Sequence, residues 1–350
     1  MKSILVTGGA GFIGSHTCLS LVERGYKVIV LDSLVNSSED SLAKLGKILI
    51  TKNKSIDNKI SFLKGDLRDK EFIENMFILN REEGNPISSV IHFAGLKSVN
   101  ESVAAPLKYW QINVNGTINL LQTMLKHDCR TIVFSSSATI YGVSENVILS
   151  EKNVKNPINP YGTTKLVVEM LMNDLFNSNP NEWKIINLRY FNPIGAHPSG
   201  LIGESPKGTP ANIFPSINFA ASGKIKELKV FGNNWPTPDG TCIRDYIHVM
   251  DIAEGHIAAL EYLENNVPQI KHFNLGTGIG TSVLELIKIF QKVNRVKVPF
   301  SVYPKREGDL SKVIADNSLA LKYLNWSPKR NIEDMCRDGW IWEKNRKSYS

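Results

Sequence analysis

Residues 3–14 read SILVTGGAGFIG, a short apolar run that leads directly into Gly8, Gly11 and Gly14, spaced G-x-x-G-x-x-G. The run is rich in β-branched residues, as expected of a buried strand, and a helical pattern begins after the glycines. Glycines let the backbone turn tightly and approach a ligand closely, while a helix N-terminus presents free N–H groups to phosphates. The stretch predicts a dinucleotide-binding turn, with a plain strand–helix turn as the alternative.

The rest of the first half repeats this alternation of short apolar runs and helical patterns. Further strand candidates are KVIVLD (27–32), ISFLKGD (60–66), SSVIHFAG (88–95), RTIVFSSS (130–137) and WKIINLRYF (183–191). Helical spacing recurs between them, most clearly over 106–127 and 161–176. Strands alternating with helices predict an α/β protein with a Rossmann-type, doubly wound parallel sheet.

Proline and glycine become dense after about residue 190, and the elements become shorter. We expect helices near 212–222, 251–264, 281–293 and 331–345, and a strand near 228–232. The pattern predicts a first domain over 1–190 and a smaller, mixed α/β substrate domain over 191–350. This boundary is soft, because later strands can rejoin the first sheet.

Composition excludes several classes of protein. The 350 residues are 42% apolar and 21% charged, which is ordinary for a globular chain, and no run approaches the roughly 18 apolar residues of a membrane helix. The N-terminus shows no separate signal region, and four widely spaced cysteines indicate reduced thiols in a cytoplasmic protein. The net charge of +7 is scattered rather than clustered, which favours a small anionic ligand over nucleic acid.

Three strand ends carry candidate cofactor residues. Asp32 ends the second strand, 21 residues after Gly11, where an acid accepts hydrogen bonds from ribose hydroxyls and repels a 2′-phosphate, so NAD is favoured over NADP. Asp66 ends the third strand, where it could bind an adenine amino group. Phe93, Ala94 and Gly95 end the fourth, where small residues leave room for a cofactor. We interpret His92 as a core residue rather than a ligand, and no histidine has metal-ligand spacing.

A tyrosine–lysine pair marks the candidate catalytic end. Tyr161 and Lys165 stand four residues apart, so a helix that begins at Pro160 and is capped by Asn159 places them on one face. A lysine ammonium about 6 Å away, at an effective dielectric of about 20, would lower the pKa of a phenol by about two units, toward the range useful for a base. Ser135, Ser136 and Ser137 end the preceding strand, where a serine could hydrogen-bond the reacting hydroxyl or relay its proton to Tyr161.

These motifs together resemble the extended short-chain dehydrogenase/reductase family, over essentially the whole chain. The segments that carry the resemblance are VTGGAGFIGSH, IHFAGLKSV, NVNGT, FSSSATIYG, NPYGTTK, LRYFNPIGAHPSG, IRDYIHVMDIA, FNLGTG and REGDL. Within the family the chain is similar to the enzymes that invert C4 of UDP-glucose and UDP-galactose. The resemblance implies tightly bound NAD, a UDP-hexose substrate, and a homodimer packed through the helices near 106–127 and 161–176.

The resemblance also implies roles for individual residues. Tyr161 removes the proton of the sugar 4-hydroxyl, hydride passes from C4 to NAD, and the 4-keto sugar swings round and takes hydride back on its other face. Positions implied at the cofactor are Gly8, Gly11, Phe12, Ile13, Gly14, Asp32, Asn36, Asp66, Leu67, Phe93, Ala94, Gly95, Lys97, Asn113, Ser135, Tyr161, Lys165 and Tyr190. Positions implied at the sugar nucleotide are Lys97, Ser137, Tyr161, Asn192, Asn212, Phe231, Arg244, Arg306, Asp309 and Val313.

Three departures from the family pattern stand out. Ser33 follows Asp32 where relatives often carry asparagine, and a lysine-rich, insertion-like stretch over 44–59 is interpreted as a surface loop. Val313 stands where some relatives carry a tyrosine that narrows the sugar pocket. A valine there would leave room for an acetamido group, which predicts activity on UDP-GlcNAc and UDP-GalNAc as well.

Other functions of the same scaffold remain open at this point. A nucleotide-sugar 4,6-dehydratase needs an acid after the catalytic serine. Residues 138–141 read ATIY and contain no carboxylate, which argues against dehydration. A UDP-glucuronate 4-epimerase or decarboxylase shares the tyrosine and lysine and is harder to separate. A non-catalytic NAD-sensing protein would commonly lack the Tyr161–Lys165 pair.

Overall fold

The protein is described here by a computed structural model that covers residues 2–51, 59–144, 146–208, 210, 212–306 and 308–347. It divides into two compact units, each built from separate segments. The first unit takes 1–142, 154–189 and 253–273, and the second takes 143–153, 190–252 and 274–350. The predicted change near residue 190 coincides with one border between the units, and later segments return to the first unit.

Fourteen strands and twelve α-helices are numbered here in chain order within the described residues. The strands are β1 (Ser3–Thr7), β2 (Lys27–Asp32), β3 (Ile60–Lys64), β4 (Ile87–His92), β5 (Thr131–Ser137), β6 (Ile148–Leu149), β7 (Lys184–Tyr190), β8 (Asn192–Ile194), β9 (Leu228–Phe231), β10 (Ile243–His248), β11 (Gln269–Leu275), β12 (Gly280–Ser282), β13 (Phe300–Tyr303) and β14 (Lys312–Ala315). The helices are α1 (Phe12–Glu23), α2 (Asp40–Thr51), α3 (Lys70–Glu82), α4 (Val99–Ala104), α5 (Pro106–Tyr109), α6 (Gly116–Lys126), α7 (Pro160–Ser178), α8 (Ile213–Ala221), α9 (Val249–Glu264), α10 (Val283–Asn294), α11 (Ser318–Leu324) and α12 (Ile332–Lys347).

The first unit is built on a seven-stranded sheet in the order β11-β7-β5-β4-β1-β2-β3. The pairs from β3 through β2, β1 and β4 to β5 are parallel. Strand β1 is buried along its whole length, because helices cover both faces of the sheet. The order reverses between β1 and β4, and in such sheets ligands bind at the carboxyl ends of the strands at that point. The predicted α/β class is confirmed, and β11 is a late strand that joins the first sheet.

The interpretation of 44–59 as a surface loop is wrong for residues 44–51, which belong to α2. Leu42, Leu45, Ile48 and Leu49 are buried on one side of this helix. Their spacing of three and four residues is the helical period, and the interspersed lysines obscured it in the sequence. Residues 52–58 lie outside the described residues.

The second unit contains a five-stranded sheet and a separate two-stranded one. In the larger sheet the order is β12-β10-β14-β6, with β8 also paired to β10, and β13 pairs with β9 in the smaller one. Helices α8, α10 and α12 supply an apolar core around Phe290, Ile287 and Met335. The helices and the strand predicted after residue 210 are confirmed, with ends within two residues of the expected ones.

The carboxylate of Asp245 on β10 ties three segments of the second unit together. It is fully buried and accepts hydrogen bonds from the backbone N–H groups of Thr277, Gly278 and Ala315, at 2.8, 2.9 and 3.1 Å. The hydroxyl of Thr277 also donates to it, at 2.7 Å. Asp245 therefore holds the loop after β11 and strand β14 against β10.

We expect Asp245→Asn to lower the free energy of unfolding by about 1–3 kcal/mol, because an amide NH₂ would face backbone donors and leave at least one of them unsatisfied. Urea unfolding measures the loss. Asp128→Asn is the matched control, since that side chain is 85% exposed and its φ of 58° suits asparagine. Equal stability of the two variants would contradict this role for Asp245.

Candidate active site

The glycine turn after β1 is shaped so that no side chain could replace its glycines freely. Gly8 has a φ of +70°, and a Cβ there would lie 2.7 Å from the backbone nitrogen of Ala94. A Cβ on Gly14 would lie 2.3 Å from the carbonyl oxygen of Gly8. Gly11 caps α1 without a side-chain hydrogen bond, and the first turn, beginning at Phe12 and Ile13, holds no acidic residue. An anion can approach this helix N-terminus closely, which fits a dinucleotide pyrophosphate.

Asp32 is held rigidly at the end of β2, next to the glycine turn. Its carboxylate accepts hydrogen bonds from the N–H groups of Ala10 and Leu34, at 3.0 and 2.9 Å, and from the Ser37 hydroxyl at 2.7 Å. A carboxylate offers about four acceptor positions, so capacity remains for a ribose hydroxyl. Ser37 is a positioning residue that the sequence analysis did not single out, whereas Asn36 is exposed.

Asp66 and Leu67 follow β3 and are fixed by neighbouring side chains. The guanidinium of Arg68 grips Asp66 with two hydrogen bonds, of 3.0 and 2.7 Å, and holds the pKa of that carboxyl below its usual range. Leu67 is buried, and its carbonyl accepts a hydrogen bond from Asn119 at 3.0 Å. Oδ1 of Asp66 also accepts from the backbone N–H of Arg68, at 2.9 Å, so the remaining acceptor direction lies on Oδ2, which is compatible with an adenine amino group.

Asn113 fixes the loop that follows β4. Its amide oxygen accepts from the Leu96 N–H at 2.8 Å, and its nitrogen donates to the Leu96 carbonyl and to Thr164. Gly95, with a φ of 159°, leaves the space that the Asn113 side chain uses. Asn113 lies in a π-helix over Trp110–Asn115, a rare form that is frequent at functional sites. The structure therefore assigns Asn113 a role in positioning the loop of Phe93–Gly95, and leaves Lys97 exposed beside it.

His92 is a core residue, as predicted. It is buried on β4 and hydrogen-bonds with Thr7 at 2.6 Å and Thr117 at 2.8 Å. Burial, with a further contribution from Lys165, lowers its pKa to about 3. Among the described residues, no cluster of three or more His, Cys, Asp or Glu side chains is arranged to hold a metal ion.

Tyr161, Lys165 and Ser137 meet where α7 packs against β5. Asn159 accepts a hydrogen bond from the Gly162 N–H at 2.9 Å and caps α7, which begins at Pro160, as predicted. The Lys165 Nζ donates to the Ser135 carbonyl at 2.8 Å and lies 6.0 Å from the centre of the Tyr161 ring.

The Ser137 hydroxyl is oriented by a neighbouring threonine. It accepts two hydrogen bonds from Thr139, one from the N–H at 3.2 Å and one from the hydroxyl at 3.0 Å. Its own proton is thereby left free to point toward Tyr161, whose pKa Ser137 acts to lower.

The prediction that Lys165 brings the pKa of Tyr161 toward neutrality is wrong for this structure. Burial raises the pKa of Tyr161 to about 12, although the hydrogen bond from Ser137 acts in the opposite direction. Burial also lowers the pKa of Lys165 to about 8. The attraction between the two charges is outweighed by the cost of removing both groups from water.

A buried ion pair beside these residues was missed by the sequence analysis. Glu169, one turn beyond Lys165, pairs with Arg189 of β7 at 2.6 Å, and both side chains are at most 2% exposed. The Ser136 hydroxyl also donates to Glu169, at 2.5 Å. The available signal was the spacing of four residues from Tyr161 to Lys165 to Glu169, which places all three on one helix face.

Five of the residues implied at the sugar nucleotide lie together in the second unit. Asp309 joins two arginines: its carboxylate accepts from the Arg306 Nε at 3.0 Å and lies 3.8 Å from an Arg244 nitrogen. The Arg306 guanidinium lies 4.5 Å from the centre of the Phe231 ring. Val313 is paired in register with Arg244 across β14 and β10. Two guanidinium groups beside an aromatic ring form a surface suited to a diphosphate and a stacked base.

The remaining implied positions are placed individually. Asn192 begins β8 and pairs in register with Tyr246, and Asn212 precedes α8 and donates to Glu204 at 3.1 Å. Tyr190 is the last residue of β7 and is partly buried. The structure shows no contact that assigns these three a ligand, so their roles stay predictions.

Comparison with known proteins decides the family. The family model described as GDP-mannose 4,6 dehydratase matches residues 5–339. The UDP-glucose 4-epimerase of Bacillus subtilis (strain 168) is 48% identical over 341 residues, which is 97% of this chain and 96% of that protein. This chain belongs to the UDP-glucose 4-epimerase family.

Solved structures of the family agree over the whole chain. The UDP-glucose 4-epimerase from Stenotrophomonas maltophila, with bound NAD and formylated UDP-arabinopyranose, superposes with a TM-score of 0.93, 43% identity and complete coverage of both chains. The enzyme from Bifidobacterium longum, in complex with NAD⁺ and UDP, superposes with a TM-score of 0.90 and 42% identity over 99% of each chain. Membership confirms the family resemblance stated from the motifs.

Proposed function

We propose that this protein catalyses the reversible C4 epimerisation of UDP-glucose and UDP-galactose with NAD as its resident cofactor. The observation that carries the proposal is the meeting of Tyr161, Ser137 and Lys165 at the end of a sheet whose glycine turn suits a dinucleotide. Membership of the epimerase family and a helix N-terminus open to phosphate support it.

The residues of this chain divide the chemistry between them. Tyr161 acts as the phenolate: its own proton, which burial retains at neutral pH, first passes to solvent, and the phenolate then accepts the proton of the sugar 4-hydroxyl. Ser137 can donate a hydrogen bond to the sugar oxygen. Bound NAD supplies a positively charged ring that takes up the C4 hydrogen with its electron pair and gives it back. The Lys165 ammonium, 6.0 Å from the centre of the Tyr161 ring, would attract a phenolate and so act against the effect of burial, and it can bind a ribose hydroxyl. Tyr161 returns the proton when the carbonyl is reduced on its other face.

The arginines explain how one site could serve both faces of the sugar. Arg244 donates to the backbone carbonyls of Ile243 and Leu310, at 2.9 and 2.7 Å, which fixes its guanidinium at β10. Together with Arg306 it can hold a diphosphate through charge-assisted hydrogen bonds. Holding the substrate at its diphosphate leaves the hexose free to turn between the two hydrogen transfers.

Incubating the purified protein with UDP-galactose tests this function. We expect UDP-glucose to form, with the two sugars reaching the same ratio from either direction, as followed by NMR.

A parallel incubation with UDP-glucuronate tests whether the protein is instead the related UDP-glucuronate 4-epimerase or decarboxylase. Release of water and formation of a 4-keto-6-deoxy sugar would instead indicate a dehydratase, which residues Ala138–Tyr141 do not favour because they contain no carboxylate. Binding of NAD without any turnover would indicate an NAD-sensing protein.

We propose further that the site accepts N-acetylated hexosamines. Val313 is a small residue beside Arg244, at the position that a tyrosine narrows in some relatives. We expect the wild type to convert UDP-GlcNAc, and Val313→Tyr to lose at least tenfold of that kcat/KM while retaining UDP-galactose conversion. Val302→Tyr is the control, since Val302 lies on an exposed strand and is 48% accessible. No wild-type turnover of UDP-GlcNAc, or equal activity of Val313→Tyr, would refute the pocket hypothesis.

A homodimer is the assembly we propose, through the helices of the first unit. Val103, Leu107, Trp110 and Met170 are apolar and between 36 and 77% exposed on α4, α5, the π-helix and α7. Such a concentration of exposed apolar side chains is typical of an interface. The family resemblance also implies a homodimer packed through these helices.

We expect Leu107→Glu to convert the dimer to monomer, because a carboxylate at a side chain that is 77% exposed in one chain would be buried without a partner at the interface. Light scattering after size-exclusion chromatography measures the mass. Leu321→Glu, on an exposed position of α11, should leave the mass unchanged. A monomeric wild type would refute this assembly.

We also propose a cytoplasmic location. All four cysteines, which lie in the described part of the chain, are unpaired and buried, as expected in a reducing compartment. Of the helices in the described residues, none is long and apolar enough to cross a membrane.

A further inference from the structure

The buried carboxylate of Glu169 has no part in the chemistry described above. It carries a fork of hydrogen bonds from Arg189, whose Nη2 lies 2.6 Å and Nε 3.0 Å from its oxygens. Arg189 also donates to the Tyr141 hydroxyl at 3.1 Å. Burying two charges costs free energy that their attraction repays only in good geometry, and an apolar pair of similar size is often as stable. Stability alone therefore does not account for the pair.

Glu169 joins helix α7 to strand β5 next to the catalytic residues. Two consecutive serines of β5 hydrogen-bond to one face of α7: the Ser135 carbonyl accepts from Lys165, and the Ser136 hydroxyl donates to Glu169. Ser137, the next residue of β5, is close enough to Tyr161 to influence its pKa. Because α7 is a continuous helix over Pro160–Ser178, a bond at Glu169 restrains its rotation and its sliding along the strand. The position of the Tyr161 oxygen relative to Ser137 depends on that restraint.

Glu169 also supplies a negative charge near Lys165. The Lys165 ammonium is 5% exposed, and burial lowers its pKa to about 8, while the charge of Glu169 raises it. Its other neighbours do not replace this charge. His92 on β4 is neutral near pH 7, since its pKa is about 3, and the Tyr161 phenol is protonated, since its pKa is about 12.

The groups that face Glu169 from other elements are mostly basic. Arg189 approaches from β7 and His272 from β11, with the His272 Nδ1 3.4 Å from a Glu169 oxygen. Lys155, in the segment before α7, is close enough that both Glu169 and Arg189 influence its pKa. Without the carboxylate, these groups would leave an uncompensated positive field beside Lys165.

We propose that Glu169 is a positioning residue of the reaction, which holds helix α7 in register with β5 through Ser136 and keeps Lys165 in its ammonium form. The proposal rests on the proposed function, because its readout is epimerisation. The two parts of the proposal are separable. The register of α7 depends on the shape of the Glu169 side chain, and the ammonium form of Lys165 depends on its charge.

The test is the pH dependence of kcat for UDP-galactose, from pH 6 to 10, in holoenzyme. In Glu169→Gln we expect the loss of activity at high pH to begin about one pH unit lower than in the wild type, the lower end of the effect of a nearby opposite charge. Glu169→Asp keeps the charge but shortens the side chain. In this variant we expect kcat to fall severalfold, while the loss of activity at high pH begins at the same pH as in the wild type. Asp174→Asn, on the exposed side of the same helix, should change neither kcat nor the pH at which activity is lost.

Ser136→Ala keeps the proposal testable if Glu169→Gln does not fold. It removes one hydroxyl from the contact, and we expect a severalfold lower kcat with an unchanged pH profile. A folded Glu169→Gln with the wild-type profile would overturn the charge role, and wild-type kcat in both Glu169→Asp and Ser136→Ala would overturn the register role. A wild type that does not convert UDP-galactose would refute the proposed function itself.

Discussion

Tyr161→Phe is expected to reduce kcat for UDP-galactose by about 10²–10⁴-fold, the usual contribution of a positioned acid–base group. The phenol is the group proposed to exchange the proton of the sugar hydroxyl, and phenylalanine fills the same space without it. The ring lies in a small apolar cluster with Leu96 and Tyr109, so packing should be kept. Steady-state kinetics and the melting temperature together separate the loss of chemistry from a loss of fold.

Tyr262→Phe is the matched control for removing a tyrosine hydroxyl. Its hydroxyl donates to Gln269 at 3.2 Å within the first unit and has no catalytic role here. We expect kcat within twofold of the wild type. If Tyr161→Phe also retained kcat within twofold, Tyr161 could not be the acid–base group, and the assignment of the site would fail.

Gly14→Ala is expected to abolish NAD binding and to destabilise the protein by about 1–3 kcal/mol or more, as overpacking of a close backbone contact does. The added Cβ would lie 2.3 Å from the Gly8 carbonyl oxygen and 2.7 Å from the Gly9 Cα. Both obstacles are backbone atoms, so the turn that approaches the pyrophosphate must itself move. Cofactor content after purification and urea unfolding measure the two effects.

Gly11→Ala provides the graded comparison in the same turn. Its Cβ would meet the Gly8 oxygen at 3.2 Å, a contact that a small shift relieves, and its φ of −73° suits alanine. We therefore expect a smaller loss of stability than in Gly14→Ala. If Gly14→Ala kept full stability and NAD content, the close packing of the glycine turn would not be what the cofactor site requires.

The sheet was predictable because its signals are local. Strands such as β1 and β2 are continuous β-branched runs, and the turn after β1 needs glycines that only close backbone contacts explain. Helix α2 was less predictable, since lysines at 44 and 47 obscured its apolar face. The return of β11 to the first sheet depends on pairing over a long sequence separation, which no local pattern reports.

The electrostatics of the site were the least predictable part. The spacing of Tyr161 and Lys165 indicated which groups meet, but not how deeply they are buried, and burial reverses the expected direction of the Tyr161 pKa. The pairing of Glu169 with Arg189 joins residues 20 apart in sequence on different elements. Such effects follow from tertiary packing, so a motif can identify a site without giving its protonation states.

The fate of the hydrogen on C4 tests the central claim most directly. Tyr161 and Ser137 handle only the hydroxyl proton, so the carbon-bound hydrogen should never exchange with water. Incubation of the holoenzyme with UDP-galactose deuterated at C4, in ordinary water, is predicted to give UDP-glucose that retains the deuterium at C4. Absence of UDP-glucose, or UDP-glucose in which solvent hydrogen has replaced the deuterium, would contradict the account.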